Sequence, residues 1–353
     1  MIFKTITNKA KILTLSMVIT AVTMTHAQEA ETQAETPKFS LSGTIDAYFR
    51  GNLNAPNAGE FTMAPGSSFA QLPGFSLGMA NLITSYEGEK VGFVADLVFG
   101  PRGTDAIFNS PMYSASGDIV NQLYMYWNVS ESVTLTMGNF NTFLGYEVIS
   151  PAANFNYSTS YLFSYGPFSH TGLKADFALS EDLSAMIGVF NQTDITEYNP
   201  TAIYAIGAQI GYKGQYLNFL SDSGAFEIDY TGGFNLSESF YLGLNAAHYD
   251  SDGTGFSGVA LYPQLNTSET FAIGLRGEYF AESGAFGAID RTDSVVENNS
   301  VFALTLTGSA SIGNLLIKPE IRIDNASEDS FLDTKFAPQK SLSSFVLAAV
   351  YAF

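Results

Sequence analysis

The thirteen residues from Ser341 to Phe353 constrain the fold more than any other stretch. Phe345, Leu347, Ala349, Tyr351 and Phe353 alternate with Ser344, Val346, Ala348, Val350 and Ala352. A period of two sends these sets to opposite faces of a β-strand. In a soluble β-protein so apolar an edge strand would invite aggregation. A closed barrel removes the edge by pairing the last strand with the first, and turns the aromatic face to lipid. A soluble sandwich is the competing architecture.

The N-terminus favours the barrel. Lys4, Lys9 and Lys11 precede an apolar run from Ile12 to about Met24, followed by Thr25, His26 and Ala27. That is the pattern of a secretory signal peptide over residues 1–27, cut near Ala27. The apolar run is too short for a membrane helix, and no later stretch is long enough. Residues 28–38 are polar and read as a periplasmic lead-in. The sequence has no cysteine, so no disulfide, thiolate metal site or cysteine nucleophile is available.

Without the three leader lysines, 12 basic residues face 34 acidic ones, a balance of −22. That excludes a nucleic-acid partner, which needs basic surface to replace phosphate counterions. Charged residues make up only 14% of the sequence and aromatic residues another 14%. Soluble domains carry about 25% charged residues.

Alternating segments then follow in a rhythm of tight turn and long loop, as in outer-membrane barrels. Strands are expected at 39–49, 75–86, 91–99, 119–128, 133–141, 168–180, 183–192, 202–212, 215–221, 226–235, 240–250, 256–264, 270–280, 300–311, 314–324 and 342–353. The expected fold is all-β, a transmembrane antiparallel up-and-down barrel over 39–353 with about sixteen strands. Fourteen is the alternative, since 215–221 is short and 256–264 contains Pro263. Charge placement sets the faces. Lys318, Glu320, Arg322 and Asp324 alternate with Ile317, Pro319, Ile321 and Ile323, and Arg276 and Glu278 oppose Ile273, Leu275 and Tyr279. Glu227 and Asp229 likewise oppose Phe226, Ile228 and Tyr230. A basic residue facing lipid at the midplane costs about 2–4 kcal/mol, whereas one facing a watery lumen costs little. The inward, pore-lining set is therefore Asp46, Arg50, Asp96, Lys174, Asp176, Glu227, Asp229, Arg276, Glu278, Lys318, Glu320, Arg322 and Asp324. Eight acids against five bases imply a mild cation preference.

From Gly138 the sequence reads GNFNTFLGYEVISPAANFNYSTSYLFSYGPFSHTGLKADFALS. This string, with GLRGEYF at Gly274–Phe280 and LIKPEIRID at Leu316–Asp324, resembles the β-barrel porins of the OmpL-like family. The resemblance implies a Gram-negative outer-membrane channel for small hydrophilic solutes, and it says little about which solute. The aromatic last strand, with Tyr351 and Phe353, resembles the signal read by the barrel-assembly machinery. Outer-membrane lipid and lipopolysaccharide are the expected surroundings, and a homotrimer is compatible with the aromatic belts. Pro319 is expected to mark a local bulge, because proline removes a ladder donor.

The third long connection, 141–168, is too long and aromatic for a plain turn. Folded inward, it would bring Glu147, Asn154, Asn156 and Ser158 to a constriction; the alternative is an external loop packed on the rim. No enzyme is expected. Ser169 and His170 are adjacent and point to opposite faces, and His248 has only Asp250 on its own face. No metal site or cofactor is expected, since a metal wants three or four clustered ligands. The acidic loop residues Asp250, Asp252, Asp290, Asp293, Glu297, Glu328, Asp329 and Asp333 read as solvated charge.

Overall fold

The computed structural model describes residues 38–58, 62–107, 117–292 and 296–353. The leader over 1–27, the lead-in up to residue 37 and Asp293 lie outside the described residues. The strands are β1 (Lys38–Asn52), β2 (Gly74–Glu87), β3 (Val91–Phe99), β4 (Val120–Ser130), β5 (Val133–Asn141) and β6 (Ser169–Ala178). Next come β7 (Leu183–Asn191), β8 (Tyr204–Tyr212), β9 (Gln215–Asp222), β10 (Ala225–Asn235), β11 (Phe240–Ser251) and β12 (Thr254–Asn266). The last are β13 (Phe271–Ser283), β14 (Ser300–Ile312), β15 (Leu315–Ala326), β16 (Phe331–Leu332), β17 (Pro338–Gln339) and β18 (Ser341–Ala352). Sixteen of these form one closed antiparallel barrel, each paired with its neighbours in sequence, while β16 and β17 make a separate short hairpin.

The two ends of the barrel sequence close it. β1 and β18 pair from Thr44–Ala352 to Asn52–Ser344. One residue further, Gly43 and Phe353 exchange both backbone hydrogen bonds at 3.1 Å. Every strand of the barrel therefore has two partners, which is the condition for backbone to cross a bilayer as sheet. The faces follow the alternation. Leu77, Ile187, Ile206 and Leu347 are exposed on the outside, while Arg276, Glu278, Lys318 and Glu320 are buried on the inside.

Two expectations about the strands change. Pro319 makes no bulge: Thr307–Glu320 and Ala310–Ile317 keep one register on either side of it. Gly308 lies close to the ring, so a side chain there would meet Pro319 Cγ at 3.3 Å. The bulges fall at Ile45/Ala47, Asp96/Leu97 and Asn128/Ser130 instead. The loop rhythm also has two exceptions, since β9–β10 and β11–β12 are joined by Ser223-Gly224 and Asp252-Gly253. Both residues of each pair have positive φ, as in the hairpin turn whose twist matches the strands.

The apolar core lies inside the barrel, at the end carrying the long connections. Phe256, Phe280 and Val301 of the wall pack there with Leu162, Ile289 and Phe331 of the connections. Two short helices also sit in these connections, α1 (Pro101–Ala106) and α2 (Tyr161–Tyr165). Alternation announced neither.

A Cβ at Gly43 would lie 2.1 Å from the Asn81 carbonyl oxygen and 3.0 Å from the Phe353 ring. Gly43→Val is expected to destabilise the closed barrel by about 1–3 kcal/mol. The urea midpoint of folding into lipid vesicles measures this, and an unchanged midpoint contradicts the closure geometry.

Candidate functional site: the inner wall and the segment it holds

The connection 142–168 leaves β5 and returns to β6 through a narrow neck. Thr142 N–H donates to the Phe168 carbonyl at 3.0 Å, and Thr142 Oγ1 lies 2.9 Å from His170 Nε2. Asp194, in the β7–β8 connection, accepts the N–H groups of Phe168 and Ser169, both at 2.8 Å. Burial pushes the Asp194 carboxyl up to about 6, against the pull of those two donors.

Beyond the neck the segment bonds to the buried faces of strands from β8 round to β15 and β1, which in a closed barrel places it in the lumen. Gln209 on β8 donates to the Phe143 carbonyl at 3.2 Å, and Asp229 on β10 accepts Gly145 N–H at 3.0 Å. The Tyr146 ring stacks on Tyr262 of β12 at 4.2 Å. Inward glycines admit the segment's side chains. A Cβ at Gly207, Gly243 or Gly274 would lie 2.3–2.5 Å from Phe143, Tyr146 or Phe155 respectively.

On the far wall, charged side chains take over the segment's peptide groups. Lys318 donates to the carbonyls of Pro151 and Asn154 at 2.9 and 2.6 Å. Glu320 accepts the N–H groups of Tyr157 and Ser158, and Glu278 those of Tyr161 and Leu162. Arg276 donates to the carbonyls of Ser158 and Thr159, and Arg322 also reaches Thr159. Glu147 closes the arrangement, pairing with Arg276 at 2.7 Å and accepting Ser160 N–H at 2.7 Å. Asn156 bonds Thr307 at 2.7 Å, while Asn154 folds back on Val148. The Tyr157 hydroxyl donates to Asp46 at 2.5 Å. Burial, and then the Asp46 carboxylate beside it, raise that phenol well above its ordinary range and keep it a donor.

The inward charges thus point where the register sends them, but they do not face water. Asp46, Arg50, Asp96, Glu227, Asp229, Arg276, Glu278, Lys318, Glu320, Arg322 and Asp324 are all 5% exposed or less. Protein groups replace the expected solvent. Asn81 and Asn121 donate to Asp96, Asn218 and Asn245 to Asp229, and Arg322 pairs with Asp324 at 2.7 Å. Arg50 bonds the Met63 carbonyl and the Asn52 side chain. Only Lys174 and Asp176 are more open, their side chains 22% and 15% exposed and paired with each other at 2.7 Å.

Sequence reading missed three features. Arg102 of α1 reaches the Ile149 carbonyl at 2.9 Å and lies over the Phe69 ring. Its one cue is that it is a lone cation in the second long connection. Glu282 accepts the N–H groups of Ala288 and Ile289, tying down the β13–β14 connection. Ser257 faces His248 across the β11–β12 pair, Oγ 2.8 Å from Nδ1. Asp250 instead accepts Gly253 N–H, and among the described residues no carboxylate is hydrogen-bonded to that imidazole to complete a triad. Among the described residues no group of His, Asp or Glu is arranged to hold a metal.

A closed barrel with an apolar outside, a charged inside and an inserted connection defines the class of outer-membrane channel proteins. The family model described as "Putative beta-barrel porin-2, OmpL-like" matches residues 38–353, and the chain belongs to that family of outer-membrane porins. Similar solved barrels include in-vitro folded OmpT, an outer membrane protein of Vibrio cholerae, at 9% identity and TM-score 0.52, covering 91% of this chain and all of that one. Its trimer form matches at 9% identity and TM-score 0.52 over 90% of this chain and all of that one. A barrel solved for the asymmetric conductivity of engineered proteins matches at 12% identity and TM-score 0.50, again over 90% of this chain and all of that one. These likenesses concern the fold. A comparison with curated protein sequences finds no match.

Removing one partner of a buried ion pair strands the other charge, at about 3–5 kcal/mol. Glu147→Gln is expected to lower barrel stability by that amount and to open 142–168 to limited proteolysis. Wild-type stability with an uncut segment would contradict the pairing with Arg276.

Proposed function

We propose that the barrel passes small hydrophilic solutes or ions by passive diffusion, with 142–168 as its constriction. The observation that carries this reading is the asymmetry of the inner wall. The segment is bonded along β8, β10 to β15 and β1, whereas inward groups on β4 and β6 such as Tyr126, Asn128, Lys174 and Asp176 stay half-buried. A polar inner face of this kind suits a hydrated passage. Lys174 and Asp176 would line it directly. The other inward charges would shape it by fixing the segment, with Glu147, Asn154, Asn156 and Ser158 as its inner framework.

A mild cation preference goes with this reading. Glu227 has no ion pair among the described residues, and Asp229 is met only by neutral donors. No catalytic role is assigned. Residues 1–27 would direct export and be removed near Ala27. Tyr351 and Phe353 both point outward, which suits recognition by the barrel-assembly machinery. The trimer form of the Vibrio cholerae barrel makes a homotrimer the assembly to test first.

The dryness of the wall charges favours a second reading, a barrel closed by its own segment. Planar-bilayer recording separates the two. The porin reading expects steady wild-type conductance with a mildly cation-selective reversal potential, weakened in a Glu227→Gln, Asp229→Asn double variant. Silent wild type with a conducting Gly274→Leu variant, in which Leu displaces Phe155, would favour the closed barrel. Anion selectivity would overturn the cation preference.

A further inference from the structure

Where the inner wall grips 142–168, its acids meet N–H groups and its bases meet carbonyls. Glu227 of β10 breaks this pattern, because it faces carbonyls. A Cβ at Gly166 would lie 3.1 Å from the Leu162 carbonyl oxygen, 3.7 Å from Glu227 Oε1 and 3.9 Å from the Phe163 carbonyl oxygen. Chain neighbours aside, the three atoms nearest to the place that glycine leaves open are all oxygens.

All three keep unused acceptor capacity. Glu227 is only 5% exposed, yet it has neither a hydrogen bond nor an ion pair among the described residues. Its oxygens are not among the wholly occluded unpartnered atoms, so they keep accessible surface, and Gly166 beside them is only half-buried. The Leu162 carbonyl accepts Gly166 N–H at 3.1 Å and has a second lone pair free. The Phe163 carbonyl would turn to the N–H four residues on, but residue 167 is proline and has none. Asp229 and Asp194 add their negative charge to that of Glu227.

A buried carboxylate set against carbonyls needs a positive charge between them. We propose that Glu227 and the carbonyls of Leu162 and Phe163 bind one monovalent cation, which ties the end of α2 to β10. Backbone carbonyls can replace the hydration shell of such an ion, and one carboxylate balances its single charge. A divalent ion draws on several acidic ligands, and among the described residues no such group gathers. The site goes beyond the passage proposed above, because occupancy is read without current and either can fail alone.

Thallium(I) nitrate, a potassium stand-in, tests the proposal through its thallium resonance when titrated into the full chain folded in detergent. The acidity of the whole chain also attracts cations, so the decisive variant leaves the charge unchanged. Gly166→Ala puts a methyl group among the three oxygens, and the φ of −77° there suits alanine. Wild type is expected to shift and broaden the line through one saturable site per chain, emptied by added potassium. Gly166→Ala and Glu227→Gln should each weaken that site by about tenfold or more. Gly166→Ala decides if Glu227→Gln does not fold. A wild-type response that never saturates, or the same saturable binding in Gly166→Ala, would overturn the site.

Discussion

Peptide groups placed inside a barrel need partners, and the structure turns on how those of 142–168 find theirs. The segment has no strand beside it, so its N–H and C=O groups cannot join the ladder. The inner wall supplies the replacements. Glu278 and Glu320 each accept two successive N–H groups, and Lys318, Arg276 and Arg322 take the carbonyls between and around them. Both sides are satisfied at once. Charges that would be ruinous in a dry interior are met by dipoles, and a polar backbone is met by charges.

This mutual satisfaction depends on the closed ladder around it. The pairing of β18 with β1 on one side and β15 on the other fixes the distance between Asp46 and Glu320, the two groups that grip Tyr157 from the strands flanking β18. A slip of one residue would turn each inward charge toward lipid. Closure, register and the seating of the segment therefore reinforce one another.

Much of this was legible in the sequence, and the limits are instructive. A period of two reports which way a side chain points, so the strands, their faces and the inward charges could be read from residues such as Lys318 and Pro319. Periodicity cannot report what a side chain meets. Water and a peptide group satisfy Glu320 equally well as far as alternation is concerned, so the wetted wall expected from sequence became a dry one. The three strings that carry the family resemblance prove to be parts of one contact. GLRGEYF supplies Arg276 and Glu278, LIKPEIRID supplies Lys318, Glu320 and Arg322, and both grip the string beginning at Gly138. Arg102 was missed because α1 has only six residues and no alternation to mark it.

The central claim, that 142–168 is seated on the inner wall, is best tested by cross-linking in a chain that has no cysteine of its own. Asn156 and Thr307 touch at 2.7 Å from segment and wall. An Asn156→Cys, Thr307→Cys variant folded into membranes is expected to bridge near-completely on oxidation or with a short bis-thiol reagent. Two free thiols in a folded barrel, under conditions that bridge a control pair within the wall, would contradict it.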